Sequence, residues 1–161
     1  MLLETQLDDL SESWIKMIRE NENTASFRDL DPSNLHKYSH FVYQQLKHWL
    51  DWQITSSEVA KLFWQVGVDR KEQNIPLSEA YYAVILARRN LYINILEKFN
   101  DSDVTDMQEL IAFTSRITYF FDKIGYFVIK GYSGLDKPTG NDEAALDEIL
   151  TAFRAGSSPR S

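Results

Sequence analysis

Apolar residues at Leu3, Leu7, Leu10, Trp14, Met17 and Ile18 recur at three- and four-residue spacings, which predicts a first amphipathic helix over residues 3 to 21. The polar stretch ENENTASFRDLD breaks that rhythm and ends in Asp31 before Pro32, an N-cap carboxylate ahead of a proline suited to a first helical position. A second helix is predicted from there, with Leu35, Tyr38, Val42, Leu46 and Trp49 on one side and the pattern fading near Gln53. Thr55 and Glu58 have capping-box spacing, so a third helix is expected from Ser56 to about Glu72, with Val59, Leu62, Phe63 and Val66 inward. Pro76 turns Ile75 away from helical geometry. A fourth helix then opens with Ser78 and Glu79 in its first turn and reads LSEAYYAVILARRNLYINILEKF, stopped by Asn100 to Ser102. Thr105 and Gln108 make a second candidate capping box for a fifth helix reaching about Lys130.

Helices four and five are apolar nearly all round. Helix four carries one stripe at Leu77, Ala80, Val84, Ala87, Leu91 and Ile95, and a second at Tyr81, Ile85, Tyr92, Leu96 and Phe99 with Arg88 in its middle. Helix five carries Leu110, Phe113, Ile117, Phe120, Ile124 and Phe127 on one line and Met107, Ile111, Phe121 and Val128 on another. A small bundle buries one stripe per helix, so a second stripe implies either a central position or a second subunit. The sequence therefore points to a homodimer through Tyr81, Ile85, Arg88, Tyr92, Phe121 and Val128. The alternative is that these stripes pack under helix one or the 22 to 30 loop. Arginines at 88 and 89 suit an interface, since guanidinium tolerates partial burial better than ammonium.

Beyond Lys130 the breakers cluster: Gly131, Gly134, Pro138, Gly140, Gly156 and Pro159 crowd the end of the chain. Residues 1–133 are thus expected to form one helical sensory or dimerisation domain, and 134–161 a polar linker or frayed tail. Leu146, Ile149, Leu150 and Phe153 could form a short amphipathic helix in it. At 161 residues, with 43% hydrophobic and 13% aromatic content, one core is affordable. No cysteine is present, which removes disulfides, thiol nucleophiles and thiolate metal sites and fits a reducing compartment. No apolar run approaches the roughly 18 to 20 residues of a membrane span. The start MLLETQLDDL is acidic where a targeting signal would be basic. A cytoplasmic location, with no membrane partner, is the expectation. A net charge of -7 argues against nucleic acid as a partner, because backbone binding needs clustered Lys and Arg.

Candidate chemistry is sparse. His36 and His40 are four apart on helix two, a spacing that allows a shared metal, but no HExxH glutamate accompanies them. Surface histidines are the plainer reading, and no cofactor is expected. Trp49, Trp52, Phe63 and Trp64 could line a pocket for a flat ligand, although aromatics at helical spacing usually form core. The paired carboxylates lie at helix starts or in loops, where they serve as caps. GxSxG, P-loop, GxGxxG and EF-hand patterns are all missing, so an enzyme is not expected.

The stretch GVDRKEQNIPLSEAYYAVILARRNLYINIL, followed by LIAFTSRITYFFDKIGYFVIKGYS, resembles the N-terminal sensory domain of RsbR-type stressosome proteins and related bacterial sensor histidine kinases. The likeness rests on the Gln73 to Leu77 junction, paired Arg88 and Arg89, and an aromatic final helix ending near Tyr132. The segment LSESWIKMIREN around Trp14 also resembles that family's first helix. The resemblance covers roughly residues 5 to 133. It implies an all-α, globin-like five-helix bundle without haem, dimeric, passing a signal through its last helix to an output module. Helices three, four and five contain no histidine to ligate a haem iron. The sequence lacks the anti-sigma-antagonist-like, kinase or PAS domain that usually follows. It is therefore expected to be either an excised sensor or a standalone relative working with a separate signalling protein.

Overall fold

The computed structural model describes residues 6–99 and 107–139. Five α-helices and one 3-10 segment follow in order: α1 Leu7–Glu20, the 3-10 segment Glu22–Asp29, α2 Pro32–Leu50, α3 Ser56–Glu72, α4 Leu77–Phe99 and α5 Met107–Tyr132. Among the described residues no strand occurs. The fold is all-α.

The punctuation read from the sequence is largely realised in hydrogen bonds. Asp31 accepts from the Ser33 amide at 2.9 Å and Pro32 opens α2. At α3 the capping box is complete, with Glu58 Oε2 accepting from the Thr55 amide at 2.8 Å and the Glu58 amide donating to Thr55 Oγ1 at 3.2 Å. The Thr55 amide and the Thr55 hydroxyl, the latter at 2.9 Å, both donate to the Glu58 carboxylate and hold it below the usual range. The second capping box, the Asn100 to Ser102 stop, Leu3 and the amphipathic tail segment fall outside the described residues.

The helix ends share a device that the sequence marked in only one of three cases. In α5, Gly134 adopts φ +71, its amide donates to Gly131 O and the Leu135 amide to Lys130 O. This is a Schellman closure. The same pair of bonds ends α3 at Asn74 (φ +57) and α2 at Trp52 (φ +59). Asn tolerates that conformation; an indole does so at a steric cost.

The 22 to 30 stretch, expected to be a polar interruption, is a structural member. Phe27 is buried in the core, Thr24 Oγ1 donates to Ile18 O at 2.7 Å, and the Ser26 amide donates to Glu79 on α4 at 2.8 Å. With α1 and this segment against it, and α3 and α5 also in contact, α4 is the central helix. Centrality accounts for part of the apolar surface that suggested a second subunit.

α5 solves the same problem by lying closely on α3. A Cβ on Gly67 would fall on the Val128 carbonyl, and one on Gly131 on the Trp64 carbonyl, so the two backbones touch where both helices lack side chains. Only glycine permits that approach. Phe120, Ile124, Phe127 and Ile117 fill the interior, joined edge-on by Phe63 and Phe121.

Candidate functional site: the α4–α5 face and the buried polar girdle

The residues assigned from sequence to a contact between copies divide sharply once the helices are packed. Phe121 is 3% and Val128 1% exposed within the single chain, so both belong to the core and offer nothing to a partner. The predicted second stripe divides: Phe121 and Val128 face inward, whereas Ile111 of the same stripe is exposed, a division the hydrophobic pattern alone does not specify. Three others face the seam between α4 and α5. Tyr81 lies over Gly125, whose missing Cβ leaves room for the ring. Arg88 Nη1 meets Asp122 Oδ1 at 3.3 Å, and Tyr92 Oη shares a hydrogen bond of 2.6 Å with Thr118 Oγ1. Ile85 is half-buried between them.

Among the described residues the large apolar side chains exposed on these two helices are Tyr81, Ile93, Ile111, Tyr126 and Ile129. Ile111, Thr118, Asp122, Gly125 and Ile129 share one face of α5 by their spacing. Ile111 is 60% and Tyr126 49% exposed, and Tyr81 and Ile129 are open to solvent as well. Apolar groups thus flank a central ion pair toward both ends of the α4–α5 pair.

The four aromatics proposed to line a ligand pocket do not converge. Phe63 is fully buried, and Trp64 lies by the end of α5, donating its indole N–H to Leu135 O at 3.0 Å. Trp49 stacks on Tyr119 with centroids 5.7 Å apart. Trp52 is 83% exposed and covers one side of Arg116, which sits 4.8 Å from its ring and 5.3 Å from that of Trp49. Arg116 also donates to Leu50 O at 3.1 Å, satisfying a carbonyl at the end of α2. The arrangement pins the α2–α3 turn to α5.

His36 is exposed and His40 is half-buried; His40 Nδ1 lies 3.6 Å from Asp8 Oδ1. Two open grooves of about 450 and 430 Å³ run beside His36 between α1 and α2. Among the described residues no three His, Asp or Glu side chains gather as metal ligands.

The sequence reading missed a buried polar girdle across α1, α2 and α4. Asn90 Nδ2 donates to Leu10 O and to Tyr43 Oη, both at 2.9 Å, while its Oδ1 accepts from Ser13 Oγ at 2.6 Å. Tyr43 Oη donates to Ala87 O at 2.9 Å, and Trp14 Nε1 to Ala83 O at 3.0 Å. The signal was available: Asn90 lies in the middle of an otherwise apolar helix. Burial pushes the Tyr43 phenol well above its ordinary range, so at neutral pH it remains a neutral donor. A second buried group, Arg70, lies 4.0 Å from the Tyr38 ring centroid and 5.3 Å from that of Phe27, and donates to Gln73. Burial raises the Tyr38 phenol too, with Arg70 pulling in the opposite direction. These groups position helices.

Fold and sites together define an all-helical domain whose distinctive surface is a helix-pair face and whose polar residues serve architecture. A family model described as "Histidine kinase N terminal" matches residues 1–134, and the chain belongs to that family. No curated protein and no solved structure gave a significant match. Among the described residues no helix is long and apolar enough to cross a membrane.

Proposed function

We propose that this chain is a non-catalytic sensory domain of histidine kinase-type signalling that passes a signal to an output module or to a separate signalling protein. The observation that carries this reading is the match of nearly the whole helical body, residues 1–134, to the histidine kinase N-terminal family. The resemblance to RsbR-type sensory domains extends it to a globin-like helix arrangement, and the lack of cysteine supports a cytoplasmic setting.

The working unit in this reading is a homodimer, and the α4–α5 face is where a second copy sits. A two-fold interface brings one patch against itself, and apolar groups on either side of a central Arg88–Asp122 pair are self-complementary under such an axis. The contact set differs from that read in the sequence: Ile111, Tyr126 and Ile129 replace Phe121 and Val128. Light scattering at micromolar concentration tests it. The expected result is a dimer that Tyr126→Asp or Ile111→Asp converts to a folded monomer, since both side chains are exposed within one chain. A wild-type protein that stays monomeric at these concentrations overturns the dimer.

A further inference from the structure

We infer that residues 133–139 are a latch that holds the chain leaving α5 against α3, so that α3, and not α5 alone, governs how this stretch opens. This rests on the sensory reading only for its consequence in signalling; the latch itself is a property of the fold.

Three observations carry it. First, α5 is actively stopped. Gly134 at φ +71 closes the helix, with the Leu135 amide on Lys130 O at 3.1 Å and the Gly134 amide on Gly131 O at 3.2 Å. Pro138 follows within a turn, where it cannot donate to a continuing helix. A helix ended in this way does not run on as a coiled coil. Second, the segment after the stop is attached to α3 by polar handles. Trp64 Nε1 donates to Leu135 O at 3.0 Å, and Lys137 Nζ lies 5.7 Å from the centre of the same indole. Third, the base of the segment cannot shift independently of α3. Gly131 is pressed against the Trp64 carbonyl, and Tyr132 Oη donates to Ile75 O, just past the end of α3, at 2.8 Å.

The strength of attachment differs along this short stretch. At Gly131 the contact is backbone against backbone and buried; Tyr132 is half-buried, its amide beside Gly67 and its hydroxyl on Ile75 O. From Leu135 to Lys137 the side chains are exposed and the attachment to α3 runs through the indole hydrogen bond and the Lys137 cation above the ring, before Pro138 is buried again. Few buried apolar contacts mean a low opening free energy. A displacement of α3 that tilts the Trp64 indole therefore loosens Leu135 and, through it, the stop bonds made by the Gly134 and Leu135 amides.

Amide hydrogen exchange on the full chain tests this. Trp64→Phe keeps an aromatic ring and removes only the N–H donor. It is expected to speed exchange at Gly134 and Leu135 by roughly three- to tenfold, the factor one net hydrogen bond supplies, with the interiors of α3 and α5 unchanged. Gly134→Asn, which tolerates the left-handed conformation, is expected to exchange like the wild type, and Gly134→Val to open the same residues as Trp64→Phe. Unaltered exchange in Trp64→Phe overturns the latch, and so does a rise spread equally through α3 and α5, since the indole would then be supporting the fold as a whole. The measurement needs no signal and no partner, so its failure removes the latch and leaves the sensory reading standing.

Discussion

Replacing Tyr43 by Phe isolates the buried girdle better than any other single change. The substitution keeps the ring, which packs edge-on against Trp14 with centroids 5.9 Å apart, and deletes one oxygen. Two hydrogen bonds go with it, the one to Ala87 O and the one from Asn90 Nδ2. Their fates differ. The Ala87 carbonyl keeps its helical acceptor role toward the amide four residues on, so its loss is modest. The Asn90 N–H is left without an acceptor in a site closed to water. One net bond contributes about 0.5–1.5 kcal/mol and one orphaned buried donor costs about 1–3 kcal/mol, so about 2–3 kcal/mol is expected in all. In a chain of this size that is a fall of about 4–12 °C in the melting midpoint.

Urea titration followed by tryptophan fluorescence measures it, and a cycle with Asn90→Ala sharpens it. In the Asn90→Ala background there is no amide to orphan, so Tyr43→Phe should cost about 1 kcal/mol less than in the wild type. The alkaline limb gives an independent check. Because the folded phenol titrates above its unfolded value of 10.0, folding stability is fully present below about pH 10 and is lost as pH rises toward the folded value. Tyr43→Phe should flatten that decline. A cycle that is additive within about 0.3 kcal/mol, together with an unchanged alkaline limb, would refute the girdle as a coupled unit.

Two further expectations concern the helix ends and the α3–α5 contact. Gly67→Ala gains about 1 kcal/mol in helix propensity but drives a methyl onto the Val128 carbonyl, where backbone cannot yield; a net loss of about 2 kcal/mol or more in urea titration is expected, and a stabilised variant would refute the close approach. Glu58, held low by its bonds to Thr55, should titrate below an ordinary glutamate by carbon-detected NMR and return upward in Thr55→Ala. The cap it contributes is complete above the unfolded value of 4.5 and is lost as pH falls through the folded value.

Local chemistry was legible wherever the controlling interaction is short in sequence. The Thr55–Glu58 box, Asp31 before Pro32 and the break before Pro76 are set within three or four residues, and the helix bounds follow them closely. Spacing likewise separated apolar from polar faces on α4 and α5. It could not say what each apolar face meets. Phe121 and Val128 turned inward because glycines at 67 and 131 let α5 settle onto α3, and nothing local to α5 reveals that approach. Trp49 and Trp52 meet at Arg116, Trp49 and Phe63 at Phe120, and Trp64 goes to the end of α5, so helical phase and the α2–α3 turn spread the four over core and surface instead of around one pocket.

The sequence by itself therefore determined five helices, the caps of α2 and α3 and an excess of apolar surface on the last two helices, because propensity, capping and periodicity act within a few residues. Only the tertiary structure decided how that excess is used. α4 became central when the polar-looking 22 to 30 stretch folded over it through Phe27, Asn90 became a buried girdle joining three helices, and the end of α5 was clipped to Trp64. Each of these joins residues about fifty or more positions apart, and such contacts are chosen by which helix faces fit together, a property of packing that no single segment encodes.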